Sequence, residues 1–211
     1  MISFKDCYQK LPLIAILRGI QPHEILATVE SLIDAGFSLI EIPLNSPDPF
    51  VSIKIATNAF GNVAMIGAGT VINQADVTRT LDAGGRLVVA PNVNTSVGER
   101  ALAGGAIWAP GVATPTEAFS ALKVGAHALK IFPAEMVLPS GIKAMCAVLP
   151  PSVPLLPVGG ITPKSMRVYV EAGATGFGLG SALYQAGDPP QKTYRNAVEF
   201  VTEARHLFNL S

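Results

Sequence analysis

The chain has 211 residues, of which 49% are hydrophobic and 14% are charged, a balance typical of one globular domain with a single core. Fifteen basic residues offset fifteen acidic ones, so no overall field favours nucleic acid or an anionic membrane surface. The sequence has neither an N-terminal signal pattern nor an apolar run near the ~20 residues that span a membrane. We therefore expect a single cytoplasmic domain over residues 1–211 that binds a small molecule, not nucleic acid or membrane.

A repeated unit runs along the chain: a helical stretch, a turn that contains glycine, and a short apolar strand that ends at Gly or Pro. The glycine supplies a left-handed helix cap, and the strand follows at once. In chain order, strands are predicted within the segments 13–18, 34–43, 63–67, 82–91, 103–110, 124–133, 153–158 and 171–180. Helices are predicted at about 4–10, 22–35, 73–84, 114–124 and 190–208.

Strict alternation of strand and helix predicts a parallel sheet, which right-handed crossovers build into a closed barrel or a doubly wound open sheet. The number of units, and the lack of Gly-x-Gly-x-x-Gly after the first strand, favour a single-domain α/β fold, the (β/α)8 TIM barrel, with an extra N-terminal helix. Active sites of this fold lie at the C-terminal ends of the strands. The unusual residues of the sequence fall there: Arg18, Glu41, Thr70, Pro91, Pro110, Lys130, Gly159, Gly160, Gly180 and Ser181.

Lys130 interrupts the apolar run 127–134, which otherwise reads as a strand buried on both faces. One interpretation is a lysine at a strand end whose ammonium group reaches solvent. The other is an amine that attacks a ketone to form a Schiff base, for which the lysine must lose its charge near pH 7 although its ordinary pKa is roughly 10.4. Burial among apolar neighbours such as Phe132 lowers a lysine pKa and so favours the second interpretation.

Arg18 and Glu41 interrupt two further apolar runs. Glu41 is either a structural ion-pair partner of Arg18 or Lys130, or a general acid and base beside a Schiff-base lysine. Arg18 can bind a carboxylate through two parallel hydrogen bonds. Thr70 offers a hydroxyl group next to the glycine-rich backbone of 67–69, although such turns also occur for steric reasons alone.

Two glycine-rich segments predict a phosphate site. Pro157–Pro163 and Gly178–Leu183 follow the last two strands, where barrels of this kind frequently bind phosphate through backbone N–H groups, a serine hydroxyl and an extra helix N-terminus. We expect a short helix after Ser181 to supply that N-terminus. The alternative is that both segments are tight turns.

The sequence predicts no metal or other cofactor. The histidines, His23 in the first long helix, His127 at the start of the sixth strand and His206 in the last helix, are away from the predicted site, and zinc-type spacing is missing. Cys7 and Cys146 form no motif, so we expect free thiols.

Seven segments together resemble the family of 2-keto-3-deoxy-6-phosphogluconate and 2-keto-3-deoxy-6-phosphogalactonate aldolases, class I enzymes on a (β/α) barrel, and they cover essentially the whole chain. The segments are Leu-Arg-Gly at 17–19, Glu-Ile-Pro-Leu-Asn-Ser-Pro at 41–47, Gly-Ala-Gly-Thr at 67–70, Ala-Pro-Asn at 90–92, Leu-Lys-Ile-Phe-Pro-Ala-Glu at 129–135, Val-Gly-Gly at 158–160 and Gly-Leu-Gly-Ser at 178–181. The resemblance implies Lys130 as the Schiff-base lysine and Glu41 as the acid and base. It implies substrate contacts from Arg18, Thr70, Pro91, Phe132 and Val158, a phosphate site at Gly159, Gly160, Gly180 and Ser181, and a homotrimer.

The sequence departs from the phosphogluconate branch at two places. That branch usually has Leu-Arg-Thr after the catalytic glutamate and Thr before the Gly-Gly pair, whereas this chain has Leu44-Asn45-Ser46 and Val158. The departures resemble the phosphogalactonate branch and leave carboxylate binding to Arg18. The implied reaction is cleavage to pyruvate and glyceraldehyde 3-phosphate. The alternatives are the C4-epimeric gluconate substrate, an isomerase or epimerase that uses Glu41 alone as a base, and a sugar-phosphate binding module without activity.

Overall fold

The computed structural model describes residues 2–210, in which parallel strands alternate with helices. The strands are β1 (Leu13–Ile16), β2 (Leu39–Pro43), β3 (Met65–Gly69), β4 (Leu87–Val89), β5 (Ile107–Ala109), β6 (Gly111–Val112), β7 (Leu129–Ile131), β8 (Leu155–Pro157) and β9 (Phe177–Leu179). The helices are α1 (Phe4–Lys10), α2 (Ile25–Ala35), α3 (Pro49–Phe60), α4 (Gln74–Asp82), α5 (Thr95–Ala103), α6 (Pro115–Val124), α7 (Ala134–Cys146), α8 (Pro163–Glu171) and α9 (Pro190–Phe208).

The strands form two parallel sheets. The six-stranded sheet has the order β5-β4-β3-β2-β1-β9 and the three-stranded sheet the order β6-β7-β8. Pro110 separates β5 from β6, and its carbonyl accepts a hydrogen bond from the Lys130 backbone N–H at 2.9 Å. A single bridge between Val158 and Gly178 connects the two sheets at their other edges. The predicted α/β fold with a parallel sheet is therefore confirmed.

Three sequence boundaries were wrong. The fifth predicted segment, 103–110, contains β5, but a further short strand, β6, follows it beyond Pro110, which has no N–H with which to continue the ladder. The first strand ends at Ile16, not at Arg18, and the third runs from Met65 to Gly69, two residues later than expected at both ends.

Local signals explain where the helices begin and end. Thr114 and Thr162 each accept a hydrogen bond from the third residue of the following helix, and a reciprocal bond completes a capping box at both. Gly36 and Gly125 end α2 and α6 with φ of 113° and 111°, a backbone conformation that favours glycine. The prediction that a glycine ends a helix just before a buried strand is confirmed at these two positions.

One apolar cluster packs against α1, and most of its strand members lie at or near the N-terminal ends of the strands, whereas Val89 and Ala109 end β4 and β5. Its members share a strand face and are Ile14, Leu39, Met65, Leu87, Val89, Ala109, Ala128 and Leu156, together with Cys7 of α1. Phe4 and Tyr8 of α1 pack against it, and the Tyr8 hydroxyl donates to the Thr175 carbonyl at 2.7 Å. This cluster, which we call the apolar floor, contains Leu39 and Ala128, the residues two positions before Glu41 and Lys130.

The cysteines match the expected free thiols: Cys7 is buried and Cys146 is exposed, and they are not bonded to each other. No helix in the described part of the chain is both long and apolar enough to cross a membrane.

Candidate active site

Strand geometry brings the two unusual charges into one layer above the apolar floor. Side chains two residues apart on a strand point to the same face, so Glu41 follows Leu39 of the floor, and Lys130 follows Ala128. Both charged side chains are buried, with 1% and 5% of their surface exposed. The prediction that both residues are charges within apolar core strands is therefore confirmed, and the two strands, β2 and β7, belong to different sheets.

The Glu41 carboxylate lies over the backbone of Gly69. A Cβ atom at Gly69 would collide with the carboxylate, so only glycine leaves room for it. Oε2 of Glu41 is buried and has no hydrogen-bond partner among the described residues. Burial raises the pKa of this carboxyl to about 7, against the opposing influence of the positive charges on Lys130 and Arg18. The group is therefore poised to gain or lose a proton near neutral pH.

The Lys130 amine is also buried, which disfavours its charged form. Burial lowers the pKa of this amine and the charge on Arg18 lowers it further, while the negative charge on Glu41 acts in the opposite direction. Its Nζ atom lies 4.5 Å from the centre of the Phe132 ring. The ion pairs of residues 2–210 are elsewhere, at Arg79–Asp76, Arg167–Glu203 and Lys192–Asp188. Glu41 and Lys130 thus influence each other without forming a closed ion pair, which leaves the amine free to react.

Arg18 differs from what the sequence suggested. Its side chain is exposed, because β1 ends at Ile16 and Arg18 belongs to the following loop. Its guanidinium group is still close enough to shift the pKa of both Glu41 and Lys130. Arg18 therefore lies at the mouth of the site and not within a strand.

A cavity of about 420 Å³ lies among the residues that follow β1, β7, β8 and β9, and neither Glu41 nor Lys130 is among its lining residues. Seven of the predicted site residues line it: Arg18, Phe132, Val158, Gly159, Gly160, Gly180 and Ser181. Gly159 and Gly160 have φ of 115° and 62°, which favours glycine at both positions. The two glycine-rich loops thus meet at one wall of the cavity, as the phosphate hypothesis requires.

The helix expected after Ser181 is not there, and that prediction was wrong. The segment is a turn, in which the N–H groups of Leu183 and Tyr184 donate to the Gly180 carbonyl at 2.8 and 3.0 Å. Two helix N-termini reach the cavity: that of α8, whose N-cap residue Thr162 lines it, and that of α7, whose first-turn residue Glu135 lines it. A helix N-terminus favours an anion at this wall.

Thr70 and Pro91 lie at strand ends near the buried pair but do not line the cavity. Thr70 directly follows Gly69 and has φ of 59°, a strained backbone for a β-branched residue of the kind that clusters at functional sites. The Pro91 carbonyl approaches the backbone of Gly111 too closely for a side chain there. Gly111 in turn pairs with Lys130 across β6 and β7.

Glu135 is a cavity residue that the sequence analysis did not single out. Its carboxylate packs against the backbone of Gly159 and Gly160, so that a Cβ at Gly159 would collide with it. The residue appeared only as the last letter of a seven-residue motif. Its contact joins positions 24 residues apart, 135 and 159, which no local pattern reveals.

His23, placed in a helix by the sequence analysis, lies in the turn before α2.

The chain is similar to known aldolases along most of its length. Residues 4–196 match the family model described as KDPG and KHG aldolase. The chain is 49% identical over 196 residues to the 2-dehydro-3-deoxy-6-phosphogalactonate aldolase of Escherichia coli K12, covering 93% of this chain and 96% of the relative. It is 50% identical over 176 residues to a probable 2-dehydro-3-deoxy-6-phosphogalactonate aldolase of Rhizobium meliloti, covering 83% of each. A solved structure described as native KDPGal superposes with a TM-score of 0.93 at 48% identity, covering 95% of this chain and 98% of that one.

Glu41→Gln tests the environment of the buried carboxyl. In the wild type the folded state holds this proton up to a pH of about 7, whereas the unfolded chain releases it near 4.5. The stability that protonated Glu41 contributes is therefore fully present below a pH of 4.5 and is lost as the pH rises through about 7. The variant has no proton to lose at this position. As the pH rises from 5 to 8, its free energy of unfolding should therefore increase relative to that of the wild type by up to about 3 kcal/mol, measured by urea denaturation.

The exposed Glu99 provides a matched Glu→Gln control, and we expect its unfolding curves to follow the wild type across this range. A Glu41→Gln variant whose stability also runs parallel to wild type from pH 5 to 8 would contradict the raised pKa.

Proposed function

Because the chain belongs to the KDPG and KHG aldolase family, we propose that it is a class I aldolase that cleaves 2-dehydro-3-deoxy-6-phosphogalactonate to pyruvate and D-glyceraldehyde 3-phosphate. The observation that carries the proposal is the buried amine of Lys130 beside the buried carboxyl of Glu41. The names of the two relatives, each about half identical to this chain, favour the galactonate compound over its gluconate epimer.

Lys130 is the proposed nucleophile. Its lowered pKa increases the neutral fraction of the amine, which attacks the C2 ketone of the substrate. The carbinolamine oxygen then takes a proton from the Glu41 carboxyl, directly or through a water molecule, and leaves as water, which gives an iminium ion. The positive nitrogen draws in the electron pair of the C3–C4 bond as that bond breaks. An iminium ion therefore supplies the electron sink, and the proposed reaction uses no metal or other cofactor.

Glu41 is the proposed acid and base. As C3–C4 breaks, the carboxylate takes the proton of the C4 hydroxyl, directly or through a water molecule, and glyceraldehyde 3-phosphate forms. The same group then returns a proton to C3 of the enamine, after which water releases pyruvate from Lys130. A carboxyl with a pKa of about 7 suits both transfers, because both of its forms are populated near neutral pH.

The other residues are proposed to bind and orient the substrate. Arg18 and Thr70 bind the acid end, and Gly159, Gly160, Gly180 and Ser181 bind the phosphate through backbone N–H groups and a hydroxyl. Pro91, Phe132 and Val158 shape the space between them. Binding at both ends would hold the C3–C4 bond in place above Lys130, which is how remote contacts assist a reaction at the centre.

We further propose that residues 1–211, of which 1 and 211 lie outside the described part, form a single cytoplasmic domain. In this proposal the two sheets close into a (β/α)8 TIM barrel, with β5 and β6 as one strand position and α1 as the extra helix. The Val158–Gly178 bridge supports the closure. A homotrimer is proposed from the family resemblance, and the exposed apolar side chains of Met136 and Val148 on and beside α7 support a buried interface.

Trapping of the Schiff base tests the proposed nucleophile. Incubation with pyruvate followed by borohydride reduction should leave a covalent pyruvate adduct on the peptide that contains Lys130, detected by mass spectrometry. Lys130→Ala should abolish it, whereas Lys143→Ala, at an exposed lysine on α7, should form it like the wild type. Absence of the adduct from the wild type, or its persistence in Lys130→Ala, would sink the mechanism.

The two C4 epimers test the proposed substrate. We expect kcat/KM for the galactonate compound to exceed that for the gluconate compound by at least about tenfold, a difference of roughly 1.4 kcal/mol in transition-state binding. Coupled detection of pyruvate measures both. Equal values, or a preference for the gluconate compound, would refute the specificity.

A further inference from the structure

Two hydrogen bonds join the loop after β1 to the loop after β2. Arg18 Nη1 donates to Asn45 Oδ1 at 2.7 Å, and the Gly19 backbone N–H donates to Ser46 Oγ at 2.9 Å. The bonds link consecutive residues of one loop to consecutive residues of the other. We call these four residues the loop clamp.

The loop clamp directly follows the paired ends of β1 and β2, next to the buried Glu41. Beneath it, Ile16 pairs with Glu41 across β1 and β2, and the Leu17 N–H donates to the Glu41 carbonyl at 3.0 Å. The backbone hydrogen bonds between β1 and β2 therefore continue to Leu17, the residue before the loop clamp, and they fix the position of the Arg18 backbone relative to Glu41. Ser46 is buried, which anchors the base of the clamp, whereas Arg18 and Asn45 are exposed at its rim.

Asn45 restrains Arg18 without cancelling its charge. An arginine side chain is long and flexible, and a single good acceptor removes much of that freedom. A carboxylate in this place would form an ion pair and compete with an anionic substrate, whereas an amide oxygen accepts the hydrogen bond and stays neutral. Arg18 keeps its remaining N–H groups for a ligand, and it is the basic side chain among the cavity-lining residues.

We propose that Asn45 is a positioning residue, whose side-chain oxygen holds the Arg18 guanidinium at the cavity mouth, where it binds an anionic group of the substrate. The inference rests on the proposed function and deepens it. The substrate has two anionic groups, the carboxylate and the phosphate, and a guanidinium group binds either through the same paired N–H donors. Measurements in the condensation direction separate them, because pyruvate carries the carboxylate and glyceraldehyde 3-phosphate carries the phosphate.

The test compares wild type with Asn45→Ala, Arg18→Ala and the double variant. Asn45→Ala should raise one of the two KM values by about tenfold, the size of one hydrogen bond to a charged group, and leave kcat within roughly twofold, as expected for lost binding. A raised KM for pyruvate is expected, because Arg18 is proposed to bind the carboxylate. A raised KM for glyceraldehyde 3-phosphate would instead assign Arg18 to the phosphate and overturn its proposed place at the acid end, while it supports Asn45 as the positioning residue. In the Arg18→Ala background, Asn45→Ala should add nothing, because it acts through Arg18.

The exposed Asn58 on α3 provides the matched control, and Asn58→Ala should leave both KM values unchanged. Unchanged KM values in Asn45→Ala would overturn the inference. So would a full additional effect in the double variant, or a loss of kcat without a change in KM, since both indicate a structural role. A wild-type protein that traps no pyruvate on Lys130 overturns the proposed function itself, and this inference with it.

Discussion

The structure depends on two opposite charges buried side by side without a closed ion pair. Removing a carboxylate and an ammonium group from water is costly, and a tight pair with further hydrogen bonds is the usual compensation. Here Glu41 keeps an oxygen without a hydrogen-bond partner among the described residues, and burial dominates the pKa shifts of both groups. Each group moves towards its neutral form, and these neutral forms are what an amine nucleophile and a proton-transferring acid require.

The residues below, beside and above Glu41 and Lys130 each support the buried pair. The apolar floor excludes water from below, and α1 packs against it at the N-terminal ends of the strands. Glycine at position 69 makes room for the Glu41 carboxylate. Above, the loops after β1 and β2 are tied together, and the glycine loops after β8 and β9 meet at the cavity wall. Residues two apart on a strand share a face, and this spacing places Glu41 and Lys130 next to members of the apolar floor.

The sequence predicted the parts of the site that local patterns encode. Lys130 and Glu41 stand out because a charge in a buried strand breaks a strong apolar pattern, and glycine caps mark where strands begin. Features that depend on contacts between distant segments were missed or misjudged. Arg18 is exposed because β1 stops early, the turn at Ser181 does not continue as a helix, and Glu135 contacts Gly159 from the first turn of α7. The partnership of Arg18 with Asn45 was likewise hidden, since each residue alone looks like an ordinary loop residue.

The central claim is that the fold itself makes the Lys130 amine less basic. An NMR titration of protein labelled at the lysine ε-carbon measures this directly, with the Lys130 signal assigned by its loss in Lys130→Arg. The account predicts a pKa clearly below the ordinary value of 10.5 in the wild type. It predicts a lower pKa still in Glu41→Gln, because the negative charge that favours the ammonium form is then gone. A Lys130 pKa at or above the ordinary value would contradict the account.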